Sequence, residues 1–218
     1  DELLMLISQS RDDLSQRKEI IKTVVDSYII MSDTRVGSKC TPTTVLLSIY
    51  CEIFEVPCLS QSKKHYQNLA NMWTEEKPVD VYLQNIEEYL EKEKDICSAI
   101  FHETTIPKLT AAILNEFVRE KSEFLLTSVP GLINSNDVTS LKKAFDLFMR
   151  LEDYSMSKFI EIFKNDFVQH GLEEVTKFHT AAVKKEIEGK MLPIHYVDTL
   201  VKACHYYDRI ISTCFNNH

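Results

Sequence analysis

The stretch VDVYLQNIEEYLEKEKDICSAIF, residues 79–101, has the most regular pattern in the chain. Apolar residues recur in it at the spacing of one helix face, and they are Leu83, Ile86, Leu90, Cys97 and Ile100. Residues three and four apart share one face of an α-helix, so the pattern predicts an amphipathic helix over 79–101. The charged residues of the other side are Glu87, Glu88, Glu91, Lys92, Glu93, Lys94 and Asp95. We expect that face to be solvated. A pair of carboxylates acting as acid and base needs one member in a dry pocket, so we do not expect such a pair on this face.

The same period extends over nearly the whole chain on both sides of this helix. The further predicted stripes are Leu3, Leu6 and Ile7; Ile20, Ile21, Val24, Val25 and Tyr28; Leu46, Ile49, Tyr50, Ile53 and Phe54; Tyr66, Leu69 and Trp73; Leu109, Ala112, Ile113 and Phe117; Leu141, Ala144, Phe145, Phe148 and Leu151; Phe159, Ile160, Phe163 and Phe167; and Val197, Leu200, Val201, Cys204, Tyr207, Ile211, Cys214 and Phe215. No stretch sustains an alternation of period two. The expectation is an all-α fold of about eight to ten helices.

Proline, glycine and polar segments predict where these helices begin and end. The predicted breaks are the polar segment from Ser32 to Thr41, Lys77-Pro78, Val129-Pro130-Gly131, Asn134 to Asp137, and Gly171 as a left-handed C-cap. Pro57 is predicted to mark either the end of a helix or a kink. The predicted N-caps are Thr41, followed by Pro42 at the first helical position, and Asn136 or Asp137. The helix after Pro107 is predicted to continue to Leu126. Several helices are apolar on more than one side, so we expect them to pack between neighbours, in a multi-layer bundle or a stacked helical solenoid.

The composition excludes several classes of function. Glycine occurs only four times in 218 residues, so no glycine-rich phosphate loop of the Rossmann or P-loop type can be written. The formal net charge is −8 and the basic residues form no cluster, so we expect protein partners and no nucleic acid. No apolar run approaches the roughly 18 residues that would cross a bilayer, and we expect no membrane partner.

No catalytic, cofactor-binding or metal-binding residue is predicted. The six cysteines include no C-x-x-C pair, which favours a reduced intracellular chain, and they are Cys40, Cys51, Cys58, Cys97, Cys204 and Cys214. Because Cys51, Cys97, Cys204 and Cys214 follow apolar stripes, we expect them to be buried. The seven histidines are His65, His102, His170, His179, His195, His205 and His218. None forms H-E-x-x-H, and a Cys–His pair stays open because its members would meet only in the fold.

The aromatic residues mostly follow the apolar stripes, which predicts core packing. Tyr89 and the adjacent pair Tyr206-Tyr207 are exceptions. At each of these two places, helical spacing directs one aromatic ring away from the main apolar stripe. They are candidates for a contact surface. The partner-binding residues are otherwise left unassigned.

Ten segments resemble the N-terminal region of the cullin family, in the family's order and at nearly constant spacing. They are Leu6-Ile7 with Arg11, Val24–Tyr28, Phe54–Leu59, Tyr66, Val81–Glu93, His102–Thr105, Leu141–Leu151, Gly171-Leu172, Tyr196–Leu200 and Cys214–Asn217. Three of them are similar to the cullin patterns F-E-x-x-F-L, Y-L-x-x-x-E-x-x-L-x-x-E and Y-L-H-x-S-T. Departures indicate a divergent member: Cys58 replaces an aromatic residue, Asp95-Ile96 stands where arginine is usual, and Ser10-Arg11-Asp12-Asp13 lacks the family's glycine and glutamates.

The resemblance implies an elongated stack of helical bundles, a cullin-repeat-like solenoid with an incomplete bundle over 1–128 and a following bundle over 129–218. These would be much of the second and third of three five-helix repeats, and the start at Asp1 in a helical pattern also predicts a fragment.

The implied function is a non-catalytic scaffold of a cullin-RING E3 ubiquitin ligase, in the cytoplasm or nucleus. The segment would be the rigid stalk that spaces the substrate-receptor end from the RING end. The adaptor and RING subunits would bind outside this fragment, no cofactor is implied, and cullin regulators are possible partners. Two alternatives stay open, a helical-rod subunit of a vesicle-tethering complex and a small enzyme with a pocket between bundles.

Overall fold

The computed structural model describes residues 18–35, 47–151, 154–183 and 192–215. Within these ranges the regular structure is helical and includes no strand, which confirms the predicted all-α class. The eight α-helices of these ranges are α1 (Lys18–Arg35), α2 (Val56–Glu76), α3 (Val79–Ile100), α4 (Ile106–Leu114), α5 (Ser122–Asn134), α6 (Val138–Leu151), α7 (Tyr154–Val183) and α8 (Leu192–Cys214). Two π-helical turns, Tyr50–Glu55 and Asn115–Arg119, precede α2 and follow α4. The stripe beginning at Leu3 and the Thr41-Pro42 cap lie outside the described residues.

The described residues form two compact units, which divide between Lys121 and Ser122. In the first unit, α1 packs against the first π turn and α3, and α2 packs against α4 and the second π turn. In the second unit, α7 packs against α5, α6 and α8. The boundary predicted at 128/129 falls inside α5, and the assignment of 1–128 and 129–218 to two cullin-type repeats stays a prediction.

Each unit has an aromatic core. The first contains the fully buried side chains of Tyr50, Phe54, Tyr66, Tyr82 and Phe117. The second contains the buried rings of Phe145, Phe148, Phe159 and Phe215. Burying one such side chain contributes about 1.5–3 kcal/mol, so each cluster is a main source of its unit's stability.

Helix α3 confirms the predicted apolar face and corrects one position of the charged face. Leu83, Ile86, Leu90, Cys97 and Ile100 are all buried. Glu93, however, is only 2% exposed, whereas Glu91 and Lys92 are solvated as predicted. The spacing explains the exception, because Glu93 lies three residues after Leu90 and four before Cys97 and therefore on the core side of the helix. The prediction failed because residue type was given more weight than helical position.

Pro57 neither ends the helix nor separates it from the preceding segment. Proline lacks an N–H and its ring clashes with the carbonyl four residues earlier, so a regular α-helix is disturbed at that point. Here the preceding turn, Tyr50–Glu55, widens to π-helical geometry, and the Val56 N–H bonds to the Cys51 carbonyl. The chain then continues as α2 without interruption to Glu76.

Four other predicted boundaries are wrong. The predicted helix from Pro107 to Leu126 is divided by the second π turn and by residues 120–121. Pro130-Gly131 lies inside α5, and the break occurs only at residues 135–137. Gly171 lies in the interior of the 30-residue helix α7, where it does not adopt the positive φ of a left-handed cap. The polar break predicted to begin at Ser32 also starts too early, since α1 continues to Arg35.

The link between α5 and α6 confirms one of the two predicted caps. Asn136 has φ of 55°, and its N–H bonds to the Ile133 carbonyl while the Asp137 N–H bonds to the Leu132 carbonyl. This is the Schellman arrangement, which satisfies the last carbonyls of α5. The Asp137 side chain then accepts a hydrogen bond from the Ser140 N–H at 3.1 Å, so Asp137 is the N-cap of α6.

Candidate functional site

A buried polar cluster joins several elements of the first unit, and we call it the Glu55 network: Tyr50, Glu55, Thr105 and Lys108. The Thr105 hydroxyl donates to Glu55 Oε1 at 2.8 Å, and Lys108 Nζ donates to Glu55 Oε2 at 2.7 Å. The Tyr50 and Thr105 hydroxyls lie 2.6 Å apart. Both carboxylate oxygens therefore have a partner, although Glu55 is only 2% exposed.

The protonation states of the network follow from burial and pairing. Burial alone would raise the pKa of the Glu55 carboxyl, but the hydrogen bonds from Lys108 and Thr105 outweigh it and hold the pKa below its usual value. Burial raises the pKa of Tyr50 to about 12, so its phenol is neutral at neutral pH. An ionised, fully paired carboxylate beside a neutral phenol fixes structure and has no unpaired group for general acid–base catalysis.

His102 orders the loop that carries Thr105. Its backbone N–H donates to the Tyr50 hydroxyl at 3.3 Å, and its Nδ1 accepts from the Thr104 N–H at 3.3 Å. The Thr104 hydroxyl is also 2.9 Å from Nδ1. The His102–Thr105 segment, singled out by its sequence, thus forms hydrogen bonds within the loop and to the first π turn.

Sequence reasoning did not select Glu55, Thr105 or Lys108 as a group. A weak signal was present, because Glu55 stands between apolar residues in the run Phe54–Leu59, at a position that faces the core. The long separation from Thr105 and Lys108 hides the pairing, since only the tertiary fold brings these side chains together.

Tyr89 is partly buried and packs in an aromatic cluster of the first unit. Its ring packs edge-on against Tyr66 and Trp73, at centroid distances of 5.9 Å each. Its hydroxyl donates to Glu93 Oε1 at 2.9 Å and lies 3.2 Å from His65 Nε2. This cluster accounts for the burial of Glu93 and for the position of His65.

Tyr207 is buried in the second unit, whereas Tyr206 is partly exposed. The Tyr207 hydroxyl donates to the Asp166 carboxylate at 2.8 Å, and burial raises the Tyr207 pKa further above its ordinary value. The Tyr206 hydroxyl donates to the Ile133 carbonyl. The contact-surface prediction is thus excluded for the buried Tyr207, and it stays a prediction for the partly exposed Tyr89 and Tyr206.

The second unit contains an apolar cleft of about 580 Å³ between α6, α7 and α8. Its walls are mostly aromatic and aliphatic and include Phe145, Ile160, Phe163 and Ile211. Lys164 and Asp208 are its charged lining residues. Such a surface offers burial to an apolar group. Cys204 also lines the cleft, but no histidine is among the described residues that line it, so these residues include no Cys–His pair.

A more polar cleft of about 600 Å³ in the same unit is lined by His170, Glu174, Lys202 and Tyr206, among others. A histidine and a carboxylate with a shifted pKa are features of active sites. Here the shift has a surface cause: the hydrogen bond from the exposed Lys177, 2.7 Å away, lowers the pKa of Glu174. The His170 ring stacks on Tyr206. The geometry does not favour the small-enzyme alternative.

Of the four cysteines that were predicted to be buried, two are buried in the structure. Cys97 and Cys214 are buried, and Cys51 is partly buried, but Cys204 is exposed. Burial raises the pKa of the Cys214 thiol to about 11. No set of three His, Cys, Asp or Glu side chains that could hold a metal ion occurs among the described residues. Likewise, no described helix is long and apolar enough to cross a membrane.

Comparison with known proteins supplies the family. The whole chain, residues 1–218, matches the family model described as the cullin alpha solenoid domain. Similar curated proteins include putative cullin-like protein 1 of Arabidopsis thaliana, which is 24% identical over 99% of this chain. Cullin-1 of Dictyostelium discoideum is 22% identical over 99% of the chain, and cullin-4A of Homo sapiens is 22% identical over all of it.

The chain belongs to the cullin family. It spans only 30%, 26% and 25% of the lengths of those three relatives, respectively. The all-α architecture and the ordered motifs agree with this assignment. What the whole protein binds and does is therefore a matter of proposal.

Proposed function

We propose that this chain is a non-catalytic scaffold segment of a cullin-RING E3 ubiquitin ligase. The observation that carries the proposal is the match to the cullin alpha solenoid family over all 218 residues. The interior of the described units supports it, because buried polar side chains such as Glu55, Tyr82 and Tyr207 are engaged in hydrogen bonds between helices. Groups used in this way position helices and perform no reaction.

The segment acts as the rigid stalk that spaces the substrate-receptor end of the ligase from its RING end. It corresponds to much of the second and third cullin repeats, over 1–128 and 129–218. The adaptor and RING subunits bind elsewhere in the protein, regulators of cullins are further partners, and the complex works in the cytoplasm or nucleus. Holding two reactants at a fixed separation accelerates transfer without any catalytic group in the spacer.

The test uses the full-length gene product assembled with its adaptor, RING subunit, ubiquitin-conjugating enzyme and substrate. In a matched variant, a Gly/Ser linker of equal length replaces residues 1–218, because such a linker joins the ends without fixing their distance. We expect both assemblies to retain the RING subunit and the variant to transfer ubiquitin at least about tenfold more slowly. Equal transfer rates would reject the stalk role, and failure of the wild-type protein to recruit a RING subunit would reject the ligase function.

The vesicle-tethering alternative predicts similar helices. It gives no reason for the family match or for the ordered cullin-like segments. The same experiment separates the two functions, since a tethering rod has no need of a RING subunit.

A further inference from the structure

The Glu55 network lies where four elements of the first unit meet. Glu55 and Tyr50 belong to the first π turn, Thr105 precedes α4, and Lys108 is in the first turn of α4. On the other side, the Ser32 hydroxyl of α1 accepts a hydrogen bond from the Tyr50 N–H at 3.1 Å. Hydrogen bonds therefore link the π turn to α1 through the Tyr50 backbone, and to the start of α4 through the side chains of Tyr50 and Glu55.

Glu55 is the branching residue of these hydrogen bonds. Its two carboxylate oxygens accept hydrogen bonds from two different residues. The Thr105 hydroxyl donates to one oxygen, and the Lys108 ammonium donates to the other. Hydrogen bonds to a charged acceptor are short and directional, and so they restrict position more than apolar contacts do. The nearby rings of Phe54 and Phe101 pack at 5.5 Å and can slide without losing a specific partner.

The burial of the two partners is unequal. The Lys108 side chain is 49% exposed, whereas the Glu55 side chain is 3% exposed. The ammonium thus reaches inward from the surface of α4 to a carboxylate that the fold has already buried. This pairing adds little area to the core, and a well-packed apolar pair could supply comparable stability.

We propose that Glu55 is a positioning residue of the scaffold, which fixes α1 and α4 relative to the first π turn through Tyr50, Thr105 and Lys108. The inference rests on the proposed scaffold function. Removal of the carboxylate leaves a folded first unit whose helices are less sharply positioned, and the ligase then holds its reactants less precisely.

The decisive variant is Glu55→Leu combined with Lys108→Met in the full-length gene product. Replacing both partners by apolar groups avoids a stranded buried charge, and the Tyr50 and Thr105 hydroxyls can still bond to each other. A role in stability alone predicts wild-type behaviour for this double variant. A positioning role predicts a changed geometry at preserved stability.

Spin labels carried by unnatural amino acids at Lys22 of α1 and Ala111 of α4 report the geometry, since both positions are exposed. We expect the thermal midpoint of the double variant to stay near that of the wild type. The label-to-label distance distribution should broaden about twofold, and ubiquitin transfer should slow about threefold or more. The control Ile86→Val, which removes a buried methyl from α3, should lower the midpoint without broadening the distribution.

An unchanged distance distribution in the double variant overturns the proposal, and so does broadening that leaves transfer at the wild-type rate. If the double variant does not fold, Glu55→Gln, which keeps the shape of the side chain, is measured with the same labels and the same two criteria. Absence of any transfer by the wild-type assembly would reject the ligase function instead. In that case the distance comparison still decides whether Glu55 positions α1 and α4.

Discussion

Removal of a single buried hydroxyl at Tyr82 offers a quantitative test of the first unit's packing. The Tyr82 side chain is 0% exposed, and its hydroxyl donates to the Phe117 carbonyl in the second π turn at 2.7 Å. Its ring packs edge-on against Trp73 at 6.4 Å. Tyr82→Phe keeps the ring and its contacts but deletes the donor.

The expected cost is set by the buried Phe117 carbonyl, which loses the Tyr82 hydroxyl as a partner. A typical net hydrogen bond contributes about 0.5–1.5 kcal/mol, and leaving a buried polar group unpaired costs about 1–3 kcal/mol. We expect the free energy of unfolding to fall by about 1–3 kcal/mol. With a urea m-value of about 1–3 kcal/mol/M, the unfolding midpoint should fall by roughly 0.3–3 M.

Trp73 makes the assay specific, because it is the only tryptophan in the chain and it contacts Tyr82. Urea unfolding followed by its fluorescence therefore reports on the first unit. Tyr28→Phe is the matched control, since its ring is partly exposed in the same unit and stacks on Phe54. The control should change the free energy of unfolding by less than about 0.5 kcal/mol.

A second criterion is how the difference in free energy of unfolding between the wild type and Tyr82→Phe depends on pH. Burial raises the pKa of Tyr82 above its usual value of 10.0, so the folded state favours the neutral phenol. The stabilisation is fully present below the unfolded-state pKa and is lost as the pH rises toward the folded-state pKa. The gap between wild type and Tyr82→Phe should narrow above about pH 10. A difference in free energy of unfolding below about 0.5 kcal/mol at neutral pH would refute the assigned hydrogen bond. A difference that stays constant above about pH 10 would refute it as well.

Three further predictions concern the other corrected or newly identified positions. Pairing lowers the pKa of Glu55 below 4.5, so the ionised carboxylate stabilises the fold above that pH, and this contribution is lost as the pH falls. The variant Glu55→Gln should therefore lose less free energy of unfolding than the wild type between about pH 5 and pH 3. Equal losses in urea titrations at acid pH would contradict this. Gly171→Ala should raise the thermal midpoint, with a gain of about 0.5–1 kcal/mol, since a Cβ there meets no atom within 4 Å; a lowered midpoint would show that the α7 interior is wrongly described. Cys204 should react with N-ethylmaleimide in the native protein well before Cys97 and Cys214, as followed by peptide mass spectrometry, and faster labelling of either buried thiol would count against the described exposures.

The sequence determined the helical class and most of the core because both depend on local periodicity. Leu83, Ile86 and Ile100 could be assigned to a buried face from spacing alone, and the structure confirms them. The Asp137 cap was likewise predictable, since a capping side chain acts on a backbone N–H only three residues away. The family could be inferred as well, because ordered motifs survive at a nearly constant spacing.

The tertiary structure decided which polar residues are inside and where helices continue through unfavourable residues. Glu55 and Glu93 look like surface charges in the sequence, but partners from distant segments or from the next turn satisfy them in the core. Pro57 and Gly171 look like helix ends, yet a widened turn accommodates the proline and α7 continues past the glycine. The burial of Glu55 depends on contacts between residues far apart in the chain, and local propensity contributes too little free energy to decide where helices end.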